Sequence, residues 1–289
     1  MRFITYSSSG RLGIGIRSPN GYLGLLEDEP EYPGDLHSLL EQGDAALCRA
    51  GQALGQGRVV DPAAVTLLPP LPTPGKIICV GLNYADHSAE SGFKQPEYPA
   101  IFARYASSLV AHGAPIVRPS VSQQLDFEGE VVAVIGTGGR GINAAHALDH
   151  VAGYSLFNDA SIRDYQFKTA QWIMGKTFDD TGAFGPEFVT ADELPVGCKG
   201  LRLVTTLNDA TVQNAALDDM VFDVAALVVL ISEVMTLAPG DIIVTGTPAG
   251  VGVGRKPPLW MQPGDICAVE VEGIGRLSNP IIEEVARAA

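Results

Sequence analysis

Cysteine is scarce in this chain: Cys48, Cys79, Cys198 and Cys267 are the only four in 289 residues, and no two form a C-x-x-C pair. That spacing argues against a zinc cluster and leaves the thiols as small core residues or plain surface groups in a reducing compartment. Cations are scarce as well. Nineteen Lys and Arg face 33 Asp and Glu, for a formal net charge of −14. Non-specific nucleic-acid binding and adsorption to an anionic membrane both rest on clustered Lys and Arg, so neither partner is expected. Long apolar runs are missing too. The longest, Val224–Ile231, has eight residues, against the roughly 20 that a membrane-spanning helix needs. The opening MRFITYSSSG has no basic region followed by an apolar stretch, so no export signal is read there and a cytoplasmic protein is the expectation. What the chain does have is apolar content, 46% against 18% charged, which excludes disorder as its general state.

Two regions differ in texture. Residues 1–70 hold short alternating pieces, Arg2–Tyr6, Leu12–Ile16 and Tyr22–Leu26, followed by a helix-like stretch over Leu36–Ala53. The four prolines of LLPPLPTPGK, at 67–76, read as a linker. They predict a small β-rich domain over 1–70 and a catalytic domain over 71–289. Beyond the linker, strands are expected at Lys76–Val80, Leu125–Ile135, Val151–Phe157, Leu201–Asn208, Asp241–Thr245 and Ile266–Glu272. Helices are expected at Tyr84–Ser91, Ala160–Gln171 and Phe222–Met235. Many strands without strict strand–helix alternation predict an α+β, β-rich fold: a rolled, mixed sheet with peripheral helices.

The segment Leu125-Asp126-Phe127-Glu128-Gly129-Glu130 carries the most chemistry. On a continuous strand, alternation puts Asp126, Glu128 and Glu130 on one face, about 7 Å apart. Carboxylates so placed repel unless a cation neutralises them, and an oxygen-only set suits magnesium or calcium; the alternative is a solvated acidic strand end. Asp159 follows the next strand, with Arg163 and Gln166 four and seven residues on. Arg163 either pairs with the carboxylates or, with Gln166, holds a substrate oxygen. His87 and Glu90 stand three apart in a short helix, close enough to touch. They are a surface pair or an imidazole oriented to act as base. Lys176, in the glycine-flanked turn GKTFD, is tied to a core carboxylate or aimed at a ligand oxyanion. The glycines of TGTPAGVG, at 245–252, can cradle an anion through backbone N–H groups. They lack the lysine of a phosphate-binding loop and the order of a dinucleotide fingerprint.

Five motifs, GLNYADHSAE (81–90), LDFEGEVVAVIG (125–136), NDASIRDYQ (158–166), GKTFD (175–179) and TGTPAGVG (245–252), occur in an order that resembles the fumarylacetoacetate hydrolase family. PPLWMQPGD (257–265) extends the likeness, which covers about residues 75–285. Residues 1–70 look like the small variable domain that many bacterial members carry. The resemblance implies a mixed β-roll catalytic domain, a divalent cation (Mg2+, with Mn2+ or Ca2+ as alternatives) and a homodimer. By position it implies Glu128, Glu130 and Asp159 as metal ligands, and His87 with Glu90 as the catalytic dyad. Arg163, Gln166, Lys176 and Thr247 fall on substrate-binding positions, Lys176 also on a catalytic one. The implied reaction is hydrolysis of a C–C bond in a 2-oxo or β-diketo acid, acylpyruvate- or fumarylacetoacetate-like, within aromatic or sugar acid catabolism. Oxaloacetate-type decarboxylation and 2-hydroxymuconate-type isomerisation or hydration use the same enolate. Two departures concern the metal strand: Phe127 stands where Tyr is frequent, and Gly129 where a bulkier residue would stiffen it. The segment 179–186 also lacks the proline often found before Gly185-Pro186. The stretch Asn83–Pro99, which holds the implied base and contains Gly92, Pro96 and Pro99, is expected to be a mobile lid in the absence of ligand.

Overall fold

The apolar strand Gly129–Ile135 runs through the middle of the computed structural model, which describes residues 1–90 and 94–285. All its residues are buried, as its run of apolar, largely β-branched side chains dictates. Its side chains alternate between two cores: Val131, Ala133 and Ile135 enter one, Val132 and Val134 the other. Val151–Asp159 pairs antiparallel on one side, with Gly129 opposite Asn158. Ile242–Val244 pairs on the other side, and parallel to it lies Ile77–Gly81, followed by the edge strand Ala100–Arg104. In the opposite direction Gly182–Thr190 is followed by Arg2–Ser8, Arg11–Ser18, Gly21–Leu26 and Arg58–Val60. The first strands of the chain thus continue the central sheet, with Phe3 opposite Phe188.

A second sheet, ordered Ala210–Ala216, Arg202–Leu207, Ile266–Val271, Gly275–Glu283 and Ile116–Arg118, covers one face of the first. Leu203, Val269 and Leu277 share a core there with Val131 and Leu156, and Leu227, Val228 and Ile231 of the helix Val224–Val234 join them. The other face is closed by the helices Leu36–Gln42 and Asp44–Leu54. The fold is therefore α+β and strand-rich, a mixed sheet with helices at its periphery. No helix among the described residues is long and apolar enough to cross a membrane. The four cysteines are free, and all but Cys48 are buried.

Local expectations fail where tertiary contacts override propensity. The helix expected over 36–53 is broken at Gly43, whose φ of 81° a non-glycine residue rarely adopts. The helix expected over 160–171 is a strand, Ser161–Ile162, then one turn, Arg163–Gln166. Asn158 and Asp159 do not cap it; both stay in the sheet. Nor is 125–135 one strand. Leu125–Asp126 pairs with Ser161–Ile162 as a separate ladder, and pairing resumes only at Gly129. Asn208 and Asp209 form the turn of a two-residue hairpin, both with positive φ. The stretch 83–99 is described except for 91–93, which lie outside the described residues. Within it Gln95 ties back to Leu82 O and Ser88 Oγ.

Gly129 does not weaken its strand. A Cβ there would overlap Thr205 Oγ1 and crowd Val269, so its absence is what lets the second sheet close over this strand. Gly129→Ala is expected to destabilise the protein by about 1–3 kcal/mol, the usual cost of overpacking. Urea unfolding measures it, and an unchanged midpoint would show that the second sheet yields freely.

Candidate active site

The break in the strand after Asp126 decides which carboxylates meet. Glu128, Glu130 and Asp159 are buried, each with an oxygen within 4.8 Å of the others. Backbone hydrogen bonds hold them in register: Glu128 N–H donates to Asn158 Oδ1 at 3.0 Å, and Asp159 N–H to Glu128 O at 2.8 Å. Asp126 is not part of the set, against the expectation of one shared face. Its carboxylate instead accepts from the N–H groups of Phe127, Gly252 and Val253 and from Arg163 Nε.

Three buried cations face these four carboxylates. Lys176 Nζ lies 2.5 Å from Glu128 Oε2 and 2.6 Å from Asp159 Oδ2. Arg163 bonds Asp126 at 2.8 Å, pairs with Glu128 at 2.6 Å and donates through Nη1 to Gln166 Oε1. Both residues are thus tied to buried carboxylates, and both also line a pocket with one of these, Glu128. The third cation, Arg104, went unread in the sequence. Its Nη1 donates to Asp159 Oδ1 and its Nη2 to Thr181 Oγ1. The available signal was a single charge closing an otherwise apolar strand, AIFAR.

Electrostatics divides the carboxylates. Burial would raise Glu128, but the Lys176 ammonium and the Arg163 guanidinium outweigh it and hold its carboxyl below the usual range. Burial opposes the charged form of Lys176 too, yet Asp159 and Glu128 keep it protonated, with its pKa raised. Glu130 has no ion pair among the described residues and one close donor, Gly246 N–H at 2.5 Å. Burial, then the charges of Asp159 and Glu128, push its pKa well up. With no counter-charge beside it Glu130 favours its neutral form, and its ionisation calls for an added cation in this oxygen-only donor set. A hard divalent cation fits that chemistry.

The glycine-rich loop cradles anions as its composition suggests, but they are the protein's own carboxylates. Gly246 N–H binds Glu130, Gly250 N–H binds Glu90 at 2.8 Å, and Gly252 and Val253 bind Asp126. The turn needs positive φ at Gly246 and Gly250, 103° and 107°. Thr247 lines the pocket, and its hydroxyl donates to Gly129 O while accepting from Gln213 Nε2. Gln213, also unread in the sequence, accepts from Gly129 N–H as well and so joins the loop to the carboxylate strand.

His87 is buried in the helix Ala85–Glu90. Its Nδ1 lies 3.9 Å from Glu90 Oε2, an ion-pair separation too long for a hydrogen bond, and Nδ1 has no hydrogen-bond partner. Burial raises Glu90, but His87 and the Gly250 N–H outweigh it and leave its pKa lowered. His87, Glu128, Glu130, Arg163, Gln166, Lys176 and Thr247 all border one pocket of about 430 Å3, counted to its open mouth. The same pocket is bordered by Trp172, which packs edge-on to Phe102 with ring centroids 5.6 Å apart, and the Phe102 ring lies 4.9 Å from Lys176 Nζ. A Cβ on Gly81 would overlap the indole, so Gly81 is what admits Trp172 to this wall.

The family model for the fumarylacetoacetate (FAA) hydrolase C-terminal region matches residues 76–282. A mitochondrial oxaloacetate tautomerase of Xenopus laevis is 38% identical over 98% of this chain and 90% of that protein. The fumarylacetoacetate hydrolase of Exiguobacterium antarcticum superposes with TM-score 0.81 and 34% identity, covering 98% of this chain and all of that one. Maleylpyruvate hydrolase of Sphingobium sp. SYK-6, solved with manganese(II) and pyruvate, superposes with TM-score 0.80 and 26% identity over 99% of this chain and all of that one.

Because Glu130 is the uncompensated carboxylate, Glu130→Gln is expected to leave the metal-free melting temperature unchanged or higher. The same substitution should abolish most of the stabilisation that millimolar Mn2+ confers. Thermal melts with and without Mn2+ check both halves; full Mn2+ stabilisation in the variant would remove Glu130 from the ligand set.

Proposed function

The chain belongs to the fumarylacetoacetate hydrolase family, and on that premise we propose that it interconverts the keto and enol forms of a small 2-oxo acid with a divalent cation, Mg2+ or Mn2+, bound by Glu128, Glu130 and Asp159. The observation that carries this reading is the buried imidazole of His87 in one pocket with Glu128 and Glu130, two of three clustered carboxylates, and the protonated Lys176. When bound, the cation polarises the carboxylate and keto oxygens of such an acid and acidifies the adjacent C–H. The relative named for oxaloacetate tautomerisation supports this choice.

The chain's own groups then divide the work. Lys176 spends two of its three N–H groups on Glu128 and Asp159 and keeps one for the oxygen on which negative charge develops. With its carbonyl oxygen taken by Arg163, Gln166 offers its amide nitrogen to the substrate carboxylate. Asp126 and Glu128 lock Arg163 in place, so it orients Gln166 and adds positive charge at the head of the site. With Nδ1 turned to Glu90, His87 carries the proton at Nε2, and Glu90 stabilises the imidazolium while that proton is held. Phe102 and Trp172 exclude water from their side of the pocket.

Hydrolysis of a β-diketo acid starts from the same bound state and is the second reading. The His87–Glu90 pair favours it, since a carboxylate-oriented imidazole can take a proton from water. The superposable maleylpyruvate hydrolase supports it as well. Homodimeric assembly is part of the proposal, and light scattering at micromolar concentration reads it.

The test adds oxaloacetate, acylpyruvates and 2-hydroxymuconate-type acids to the protein with and without Mg2+, following the enol absorbance and the products. Accelerated enol decay without bond cleavage is the expected outcome, whereas pyruvate release from acylpyruvates would favour hydrolysis. Activity that survives exhaustive chelation would overturn both. His87→Ala is expected to lower turnover by roughly 10²–10⁴-fold while leaving Mn2+-dependent oxalate binding intact by calorimetry. Loss of oxalate binding would instead place His87 among the binding groups.

A further inference from the structure

Arg104 is fully buried, yet it lies behind a carboxylate proposed to bind a cation, where its charge repels that cation. Compensating the buried Asp159 explains a charge there, but electrostatics alone gives no reason for it once a cation binds. Its contacts do. The guanidinium reaches four acceptors on three stretches of chain: Asp159 Oδ1 and Ala160 O at 3.2 Å on one, Thr181 Oγ1 at 2.7 Å and Ser108 Oγ at 3.2 Å on the others. The Phe157 ring lies beneath it, 5.6 Å from its central carbon. Gly182 leaves the room, since a Cβ there would come within 2.9–3.0 Å of the guanidinium. A group held on every side cannot drift, and it takes only one oxygen of Asp159. Oδ2 is left to Lys176 and the side of Glu128.

We propose that Arg104 is a positioning residue: it fixes which oxygen of Asp159 faces Glu128 and Glu130, and thereby sets the divalent-cation affinity of the site. The inference rests on the reading of those three carboxylates as metal ligands. Partners that orient a ligand in this way are worth roughly 10–100-fold in metal affinity. Charge and positioning predict opposite signs. Removing a nearby positive charge strengthens cation binding, whereas freeing Asp159 to rotate weakens it.

Calorimetric titration of Mn2+ into metal-stripped full-length protein decides between them, with circular dichroism as the control for folding. Arg104→Met should bind Mn2+ roughly 10–100-fold more weakly, with Arg104→Lys recovering part of the loss. Thr181→Val keeps the charge of Arg104 and removes one of its anchors, and should weaken binding by roughly 3–10-fold. If Arg104→Met folds and binds Mn2+ as tightly as the unaltered protein, or more tightly, the proposal is overturned. If Arg104→Met does not fold, Thr181→Val decides, and unaltered affinity overturns it. Should the unaltered protein bind no Mn2+ at all, the metal reading fails first and takes this inference with it; weakened binding in the variants alone supports both.

Discussion

Four carboxylates buried beside three cations are the constraint from which most of this structure follows. Taking an ion out of water costs several kcal/mol even after relaxation, and removing one member of a buried pair typically costs about 3–5 kcal/mol. Asp126, Glu128, Glu130 and Asp159 can therefore be buried only if their partners arrive from elsewhere in the chain. Arg104 comes from an edge strand, Arg163 and Lys176 from two single helical turns, and the N–H donors from the 246–253 loop. These segments are far apart in sequence, so satisfying the charges specifies how the sheet, the turns and the loop pack. The site and the fold are one solution to the same problem.

That dependence also sets how much was legible in the sequence. Alternating apolar runs exposed the strands, because period and burial are local properties. Glu128, Glu130, His87 and Glu90 were legible from spacing, and Asp159, Arg163 and Lys176 from residue types beside turns. The failures share one cause. Asp126 left its expected face, and the helix at 160–171 did not form, because Leu125–Asp126 pairs with Ser161–Ile162, a contact distant in sequence that no local pattern announces. Arg104 and Gln213 act only through what they touch across the fold, and so carry no spacing signature.

The glycine-rich loop shows how a correct local inference can attach to the wrong object. Its N–H groups do point at anions, as αL glycines and turn geometry require. Yet their anions are Glu130, Glu90 and Asp126, which link the metal strand, the His87 helix and the Arg163 support to one loop. Displacing that loop would disturb all three at once. Its glycines are fixed by close packing as well as by φ, since a Cβ at 250 or 252 would overlap the backbone of Val212 or Leu259.

The proposed tautomerisation and hydrolysis differ less in catalytic residues than in what the aromatic wall admits. Both need the head of a 2-oxo acid held by Gln166 and Lys176, and both need a proton carried by His87. Hydrolysis also needs a water molecule on the far carbonyl, whereas tautomerisation is served best by its exclusion. Phe102 and Trp172 form that wall, with Phe167 half-exposed at the mouth. A tight aromatic wall over a small pocket favours the reaction that needs no second reactant. On the proposed reading, the choice between chemistries turns on the closeness of Gly81 and Trp172 in this wall, and the carboxylates beside it make either reaction feasible.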